Sequence, residues 1–256
     1  MKGLFLQGGG AKGAFQAGVI YGLYERGFKF KVITGTSIGA INSYFIYTDN
    51  IKELKNTWTN LVINGDNEKI HRKKVIENQE LMNVLKKFNG INDYIKSVYV
   101  NYVEVKNRKL KERIVDITKL NKKEQLKSIK YSSLLPCRDK QSTKGEIMEN
   151  FDSEKVFEEF KIDLSKGLYE GYNLDGGILN NDFLRPFTKD KVDKLYLITF
   201  KNNYRIPKYI TKHYNKEDIV VIEPRRAFKP NDTLRFQKEF LIDIFNEGYE
   251  ISKNIS

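Results

Sequence analysis

Twice within its first fifty residues this chain runs from a short apolar stretch through a glycine-containing turn into an apolar stretch of helical period. Gly3-Leu4-Phe5-Leu6-Gln7 reads as a buried strand, Gly8 to Gly13 as the turn, and Ala14 to about Arg26 as a helix with Phe15, Val19 and Leu23 on one face. Gly27 sits where a helix C-cap belongs. Phe30 to Thr34 reads as a second strand, Gly35-Thr36-Ser37-Ile38-Gly39 as the next turn, and Ile38 to Tyr47 as a second helix. Such a β-α-β-α opening leaves few architectures, because helical crossovers place strands in parallel and cover the sheet with helices. The expected fold is α/β, with a mostly parallel central sheet sandwiched by helices in three layers.

Further along, residues 51–61 and 74–88 read as helices, separated by a polar loop around Asn64-Gly65-Asp66-Asn67. Ser97 to Val105 alternates in part and is rich in Val and Tyr, and Arg113 to Ile117 pairs with it as a hairpin or meander. Asn121 and Glu124 have capping-box spacing and open a helix ending near Tyr131. Polar residues dominate from Pro136 to Gly171, predicting a long loop with one short helix at Glu154 to Phe160. Strands are expected at Leu195 to Phe200 and Ile219 to Ile222, and a last helix at about Leu234 to Ser252. No repeat or low-complexity linker divides the 256 residues, so residues 1–256 are expected to form one domain.

Composition excludes several classes. No uncharged apolar stretch approaches the length of a membrane-spanning helix, and 16 Phe and 15 Tyr supply the apolar area that disordered chains lack. The net charge of +12 raises nucleic acid as a partner, but 35 of the 45 basic residues are Lys, a solvated point charge, where base and phosphate readers favour Arg. No nucleic-acid partner is therefore expected. The densest stretch, Lys106 to Lys130, carries ten basic residues against Glu112, Asp116 and Glu124. It reads as a solvated face, with attraction to anionic lipid head groups as the other use of such charge. Gly8 to Lys12 interrupt the N-terminal apolar run, so no classical signal peptide is expected. The single cysteine, Cys137, has no partner for an internal disulfide and agrees with a reducing compartment. A cytoplasmic location, with peripheral membrane contact or export by another route left open, follows as the expectation.

Two motifs carry chemistry. Gly8-Gly9-Gly10-Ala11-Lys12-Gly13 satisfies G-x-G-x-x-G, but the acidic residue a dinucleotide site wants after the second strand is missing: no carboxylate appears before Asp49. A phosphate-binding loop remains the alternative for this turn. Gly35-Thr36-Ser37-Ile38-Gly39 is a G-x-S-x-G elbow, in which a serine on a tight strand-to-helix turn projects its hydroxyl into a pocket. The Ile38 amide and the helix N-terminus face the same space, and the amides of Gly9 and Gly10 at the same sheet edge are placed to complete an oxyanion hole. A serine nucleophile needs a base, and there are two histidines, His71 and His213, both in Lys-flanked polar settings. His213 suits the chain order of a Ser-Asp-His triad. Asp175, in Leu174-Asp175-Gly176-Gly177, is the other candidate, since a carboxylate whose pKa is raised by burial can accept a serine proton directly. Cys137 reads as a small core or loop residue, with no histidine near it in sequence.

The glycine loop, the elbow Gly35 to Ala40 and the segment Asp175-Gly176-Gly177-Ile178-Leu179-Asn180-Asn181, in that order, resemble the patatin-like phospholipases. Lys130-Tyr131-Ser132-Ser133-Leu134-Leu135-Pro136 is similar to that family's Ser-Ser-x-x-Pro segment, and Val221-Ile222-Glu223-Pro224 to its late strand. The resemblance implies a serine lipid acyl hydrolase with Ser37 as nucleophile, Asp175 as base, and amides of Gly8, Gly9, Gly10 and Ile38 as the oxyanion hole. It implies supporting motif roles for Lys12, Gly13, Gly35, Gly39, Gly176 and Gly177. The substrate would be an acyl ester of a phospholipid or lysophospholipid at a membrane surface, without metal or cofactor. Cys137 through Tyr172 departs from the family pattern, which leaves the acyl-binding walls unread.

Overall fold

The computed structural model describes residues 1–61, 75–138, 146 and 151–256. The expected loop around Asn64 to Asn67, together with His71, lies outside the described residues. The chain opens as β1 (Lys2–Leu6), α1 (Gly13–Glu25), β2 (Val32–Thr36) and α2 (Ile38–Tyr47), as the hydrophobic pattern predicts. There follow α3 (Ile51–Asn60), β3 (Val75–Ile76), α4 (Gln79–Leu85), β4 (Ser97–Lys106), β5 (Lys109–Asp116), α5 (Lys122–Ser132) and β6 (Leu135–Pro136). The second half contributes α6 (Ser153–Ser165), β7 (Asn173–Asp175), α7 (Gly177–Asn180), β8 (Lys194–Ile198), α8 (Lys208–Thr211), β9 (Ile219–Ile222) and α9 (Lys238–Ser252).

The main sheet runs β5-β4-β2-β1-β8-β9, with β7 added to β4. The pairs among β4, β2, β1, β8 and β9 are parallel, while β5 and β7 are antiparallel to β4. Side chains alternate between two cores. Leu4, Leu6, Ile33, Tyr196 and Ile198 face α1, α2 and α9, whereas Phe5, Val32, Leu195 and Leu197 face the segment from Phe183 to Tyr214. The second face is thus covered by short turns and α8 rather than by long helices. Helix α1 is buried nearly all round because it lies between the sheet and α9. No helix among the described residues is long and apolar enough to cross a membrane.

Three expectations change. Val75 and Ile76 do not begin a helix; they pair with Leu135 and Pro136 as a short ladder, and α4 starts only at Gln79. Within the expected long loop, α6 runs from Ser153 to Ser165, because Asp152 caps it through the amides of Glu154 and Lys155 and Phe160 is buried beneath it. The last helix begins at Lys238, after a 3-10 turn at Pro230–Leu234 whose proline cannot sit inside an α-helix.

One topological fact builds the site. β2 runs parallel to β4 and ends with Thr36 opposite Asn101; β7 runs antiparallel and ends with Asp175 opposite Tyr102. Two strands therefore approach head to head along one edge of β4, so the residues that leave them, Ser37 and Asp175 with its glycines, must meet.

Candidate active site

Ser37 stands at the C-terminal end of β2 with φ 56° and ψ −121°, a left-handed conformation that side chains other than Gly rarely adopt. Helix α2 starts at the next residue, so the hydroxyl lies at a helix N-terminus, where negative charge is favoured. The strained turn is held from below: the Ser37 amide donates to the buried Ser132 hydroxyl at 2.8 Å. Ser132 also accepts the Gly176 amide on its carbonyl at 3.3 Å, and Leu134 accepts the Asp175 amide at 2.9 Å. The Ser-Ser-x-x-Pro segment is thereby a splint under both Ser37 and Asp175.

Asp175 is 3% exposed and Ser37 8%. Burial raises the Asp175 carboxyl from 3.8 to about 6, opposed by hydrogen bonding from Ser37 and by the Gly177 amide, which donates to Oδ1 at 2.7 Å. A carboxyl in this range is ionised at neutral pH yet basic enough to take a proton from an attacking hydroxyl. Asn101 secures the turn from the sheet side: it accepts the Thr36 hydroxyl at 2.7 Å and donates to the Asn180 carbonyl at 2.9 Å.

The glycine loop crosses above Ser37. Gly10 has φ 59°, and a Cβ there would stand 2.0 Å from the Thr233 carbonyl, so this position admits only glycine. The Gly8 amide donates to Asn181 Oδ1 at 2.8 Å, and Asn181 Nδ2 donates back to the Gly8 carbonyl at 3.1 Å. This corrects the expected donor set, because the Gly8 N–H is already committed. Among the described residues no hydrogen bond takes up the amides of Gly9, Gly10 or Ile38.

A cleft of about 160 Å³ joins these groups, with the glycine loop, Ser37, Asp175 and Asn181 on one side and Leu135, Phe151, Ser153 and Phe157 on the other. The apolar wall comes from β6, the end of the Ser-Ser-x-x-Pro segment, and from α6 and its approach, which no sequence motif marks. Lys12 also lines the cleft. Burial lowers its ammonium to about 8; Asp232 opposes the shift and Lys201 adds to it.

His213 is not part of this site. It is exposed and precedes β9, on the edge of the sheet where parallel strands begin, whereas Ser37 follows the end of β2. The neighbouring Tyr214 hydroxyl bonds the Phe187 carbonyl and the Val192 amide, just before β8 begins, which fixes the segment at that far edge. Cys137 is buried and, as the single cysteine of the chain, forms no internal disulfide.

An α/β sheet with a serine elbow, a buried carboxylate and an amide-lined glycine turn at one strand edge has the form of a serine acyl hydrolase. The family model of the patatin-like phospholipases matches residues 4–240, and the chain belongs to that family. Among curated proteins none matches the sequence. Of solved structures, VipD from Legionella pneumophila is similar at 13% identity and a TM-score of 0.45, over 98% of this chain and 66% of that one. ExoU of the Pseudomonas aeruginosa type III secretion system, crystallised in complex with SpcU, is similar at 12% identity and a TM-score of 0.41, over 100% of this chain and 53% of that one. The chain thus spans about half to two thirds of these proteins.

Proposed function

We propose that this chain hydrolyses acyl esters of phospholipids or lysophospholipids through a Ser37–Asp175 dyad. The observation that supports it most is the head-to-head approach of β2 and β7 along β4, which delivers a strained serine and a buried, partly basic carboxylate to one cleft. In this reading Ser37 Oγ attacks the ester carbonyl carbon while Asp175 takes its proton. The amides of Gly9, Gly10 and Ile38 hold the oxyanion. Collapse of the tetrahedral intermediate breaks the ester C–O bond, and Asp175 returns the proton to the departing alcohol. Asp175 then takes a proton from water, whose oxygen attacks the acyl-enzyme and releases the fatty acid and free Ser37. Leu135, Phe151 and Phe157 offer the acyl chain its apolar wall.

The test is turnover of a short-chain nitrophenyl ester, with labelling by a fluorophosphonate. Ser37→Ala and Asp175→Asn should each abolish turnover without lowering the melting temperature, and Ser37→Ala should abolish labelling. Full turnover in either variant refutes the dyad. His213→Ala should be as active as wild type. Mass spectrometry of products from a mixed lipid extract then distinguishes phospholipase A from lysophospholipase action.

A further inference from the structure

The hairpin joining β4 to β5 stands apart from the cleft and has no role in the chemistry above. Its closing pair is Lys106 and Lys109, and its two turn residues, Asn107 and Arg108, both have positive φ, 53° and 56°. Such a turn favours Asn-Gly; an arginine at its second position costs about 1 kcal/mol or more of backbone strain. Lys106, Arg108, Lys109 and Lys111 are all exposed; Glu170 attracts Arg108 and Lys106, and Lys109 and Lys111 add two further positive charges to the tip. The tip is also rigid, since the Glu170 carboxylate accepts the Asn107 and Arg108 amides at 2.8 and 3.0 Å.

The same turn brings apolar side chains to the tip. Leu168, 40% exposed, and Ile162, 49% exposed, flank Lys166 and Lys161 at the C-terminal end of α6, where the one carboxylate, Asp163, is buried and paired with Arg138, while Glu154, Glu158 and Glu159 precede Lys161. The N-terminal end of α6 supplies Ser153 and Phe157 to the cleft. β4 continues five residues beyond Asn101, the level of Thr36, to Lys106, so the tip stands about 16 Å beyond the nucleophile in the direction the strands point. A basic ridge with apolar side chains therefore rises beside the cleft, on the same edge of the sheet.

We infer that this ridge, Lys106 to Lys111 with Leu168 and Ile162, docks on an anionic lipid surface and presents the cleft to it. The inference rests on lipid being the substrate. Lysines with an apolar pair suit head groups and the acyl boundary beneath them, each basic residue near such a surface contributing about 1 kcal/mol. A second basic and apolar area, with Lys29, Lys31, Lys96, Ile91 and Tyr94, lies at the opposite edge of the sheet. Its charges are partly engaged within the protein: Lys96 pairs with Asp190 at 2.8 Å and Lys31 lies over the Tyr94 ring. A membrane held there would leave Ser37 on the far side of the sheet.

The test is co-sedimentation with vesicles of phosphatidylcholine, alone or mixed with phosphatidylglycerol, in a Ser37→Ala background so that turnover plays no part. Binding should require phosphatidylglycerol and weaken with salt. Lys106→Gln, Arg108→Asn and Lys109→Gln together should weaken it about a hundredfold, on the order of fivefold for each charge. Leu168→Ser should weaken it further, and Lys29→Gln with Lys31→Gln should leave it unchanged. The inference is overturned if the tip variant binds like its parent, if the Lys29 and Lys31 variant loses as much, or if the tip variant loses RNA binding while keeping vesicles. With Ser37 restored, the tip variant should hydrolyse the soluble nitrophenyl ester at the wild-type rate. Failure of the docking inference would leave that soluble activity intact, whereas failure of the dyad would appear as ester turnover that survives in Ser37→Ala, whatever the vesicle binding.

Discussion

Asn181 and Gly8 are joined by two hydrogen bonds of opposite sense, the Gly8 amide to Oδ1 at 2.8 Å and Nδ2 to the Gly8 carbonyl at 3.1 Å. A carboxamide is the side chain that offers both a donor and an acceptor at this reach. The clamp ties the turn that follows Asp175 to the glycine loop and sets which amides of that loop remain for an oxyanion. Asn181→Asp keeps the acceptor but turns the donor into a second oxygen facing a carbonyl, and Asn181→Ala removes both partners. We expect kcat on a nitrophenyl ester to fall at least about tenfold in each, with KM little changed, since misplacing one oxyanion donor costs on the order of a hundredfold. Equal kcat in wild type and Asn181→Asp would show that the register of the loop does not depend on the clamp.

Ser132 is a second test of how the elbow is held. Its hydroxyl is the acceptor for the amide of a residue at φ 56°. Ser132→Ala leaves a buried N–H unpaired, a cost of about 1–3 kcal/mol. The expected result is a lower melting temperature together with slower fluorophosphonate labelling. A variant that melts lower but labels at the wild-type rate would assign Ser132 to stability alone.

The first half of the sheet and both glycine turns were legible in the sequence because local pattern and tertiary role coincide there. Leu4 to Leu6 and Val32 to Ile33 are apolar since both sheet faces are covered, and that is what a periodicity reading detects. The wall of the cleft was not legible. Phe151 and Phe157 stand in a polar, charged stretch; the short helix expected at Glu154 to Phe160 contains Phe157, but no motif there marks its side chain as part of a site. Strand β7 was hidden for another reason: three residues are too few for a period, and their pairing partner lies about seventy residues earlier on β4. Asp175 was found through its motif, but its meeting with Ser37 follows from that long-range pairing. The loss of Gly8 as an oxyanion donor was equally beyond a local reading, because it depends on a side chain far along the chain.

The apolar wall makes a specificity prediction. Phe157 faces the glycine loop across a cleft of only about 160 Å³. Phe157→Ala enlarges it, and the preferred acyl chain of a nitrophenyl ester series should lengthen, with kcat/KM for the shortest ester falling as its contacts are lost. An unchanged chain-length profile would place the acyl chain elsewhere.

The pH dependence follows from Asp175. As the base it must be ionised, so kcat/KM should rise through about pH 6 and level off above it. Lys12, at about 8 and in the same cleft, adds a second limb: as its ammonium loses its proton, the positive charge facing the oxyanion is lost and the rate should fall. Lys12→Gln should abolish the upper limb and leave the lower one in place. The effect on stability has the opposite sign to the effect on rate. The folded carboxyl at about 6 lies above its unfolded value of 3.8, so between these values the folded state holds more protons, and stability decreases as pH rises through that window. Asp175→Asn removes this penalty. The variant should be inactive yet more stable than wild type at pH 8, by up to about 3 kcal/mol, with the gain vanishing near pH 4. Thermal denaturation across that range checks the sign, and a gain that grew toward acid pH would show that Asp175 is stabilised as the anion and is too weak a base for the role.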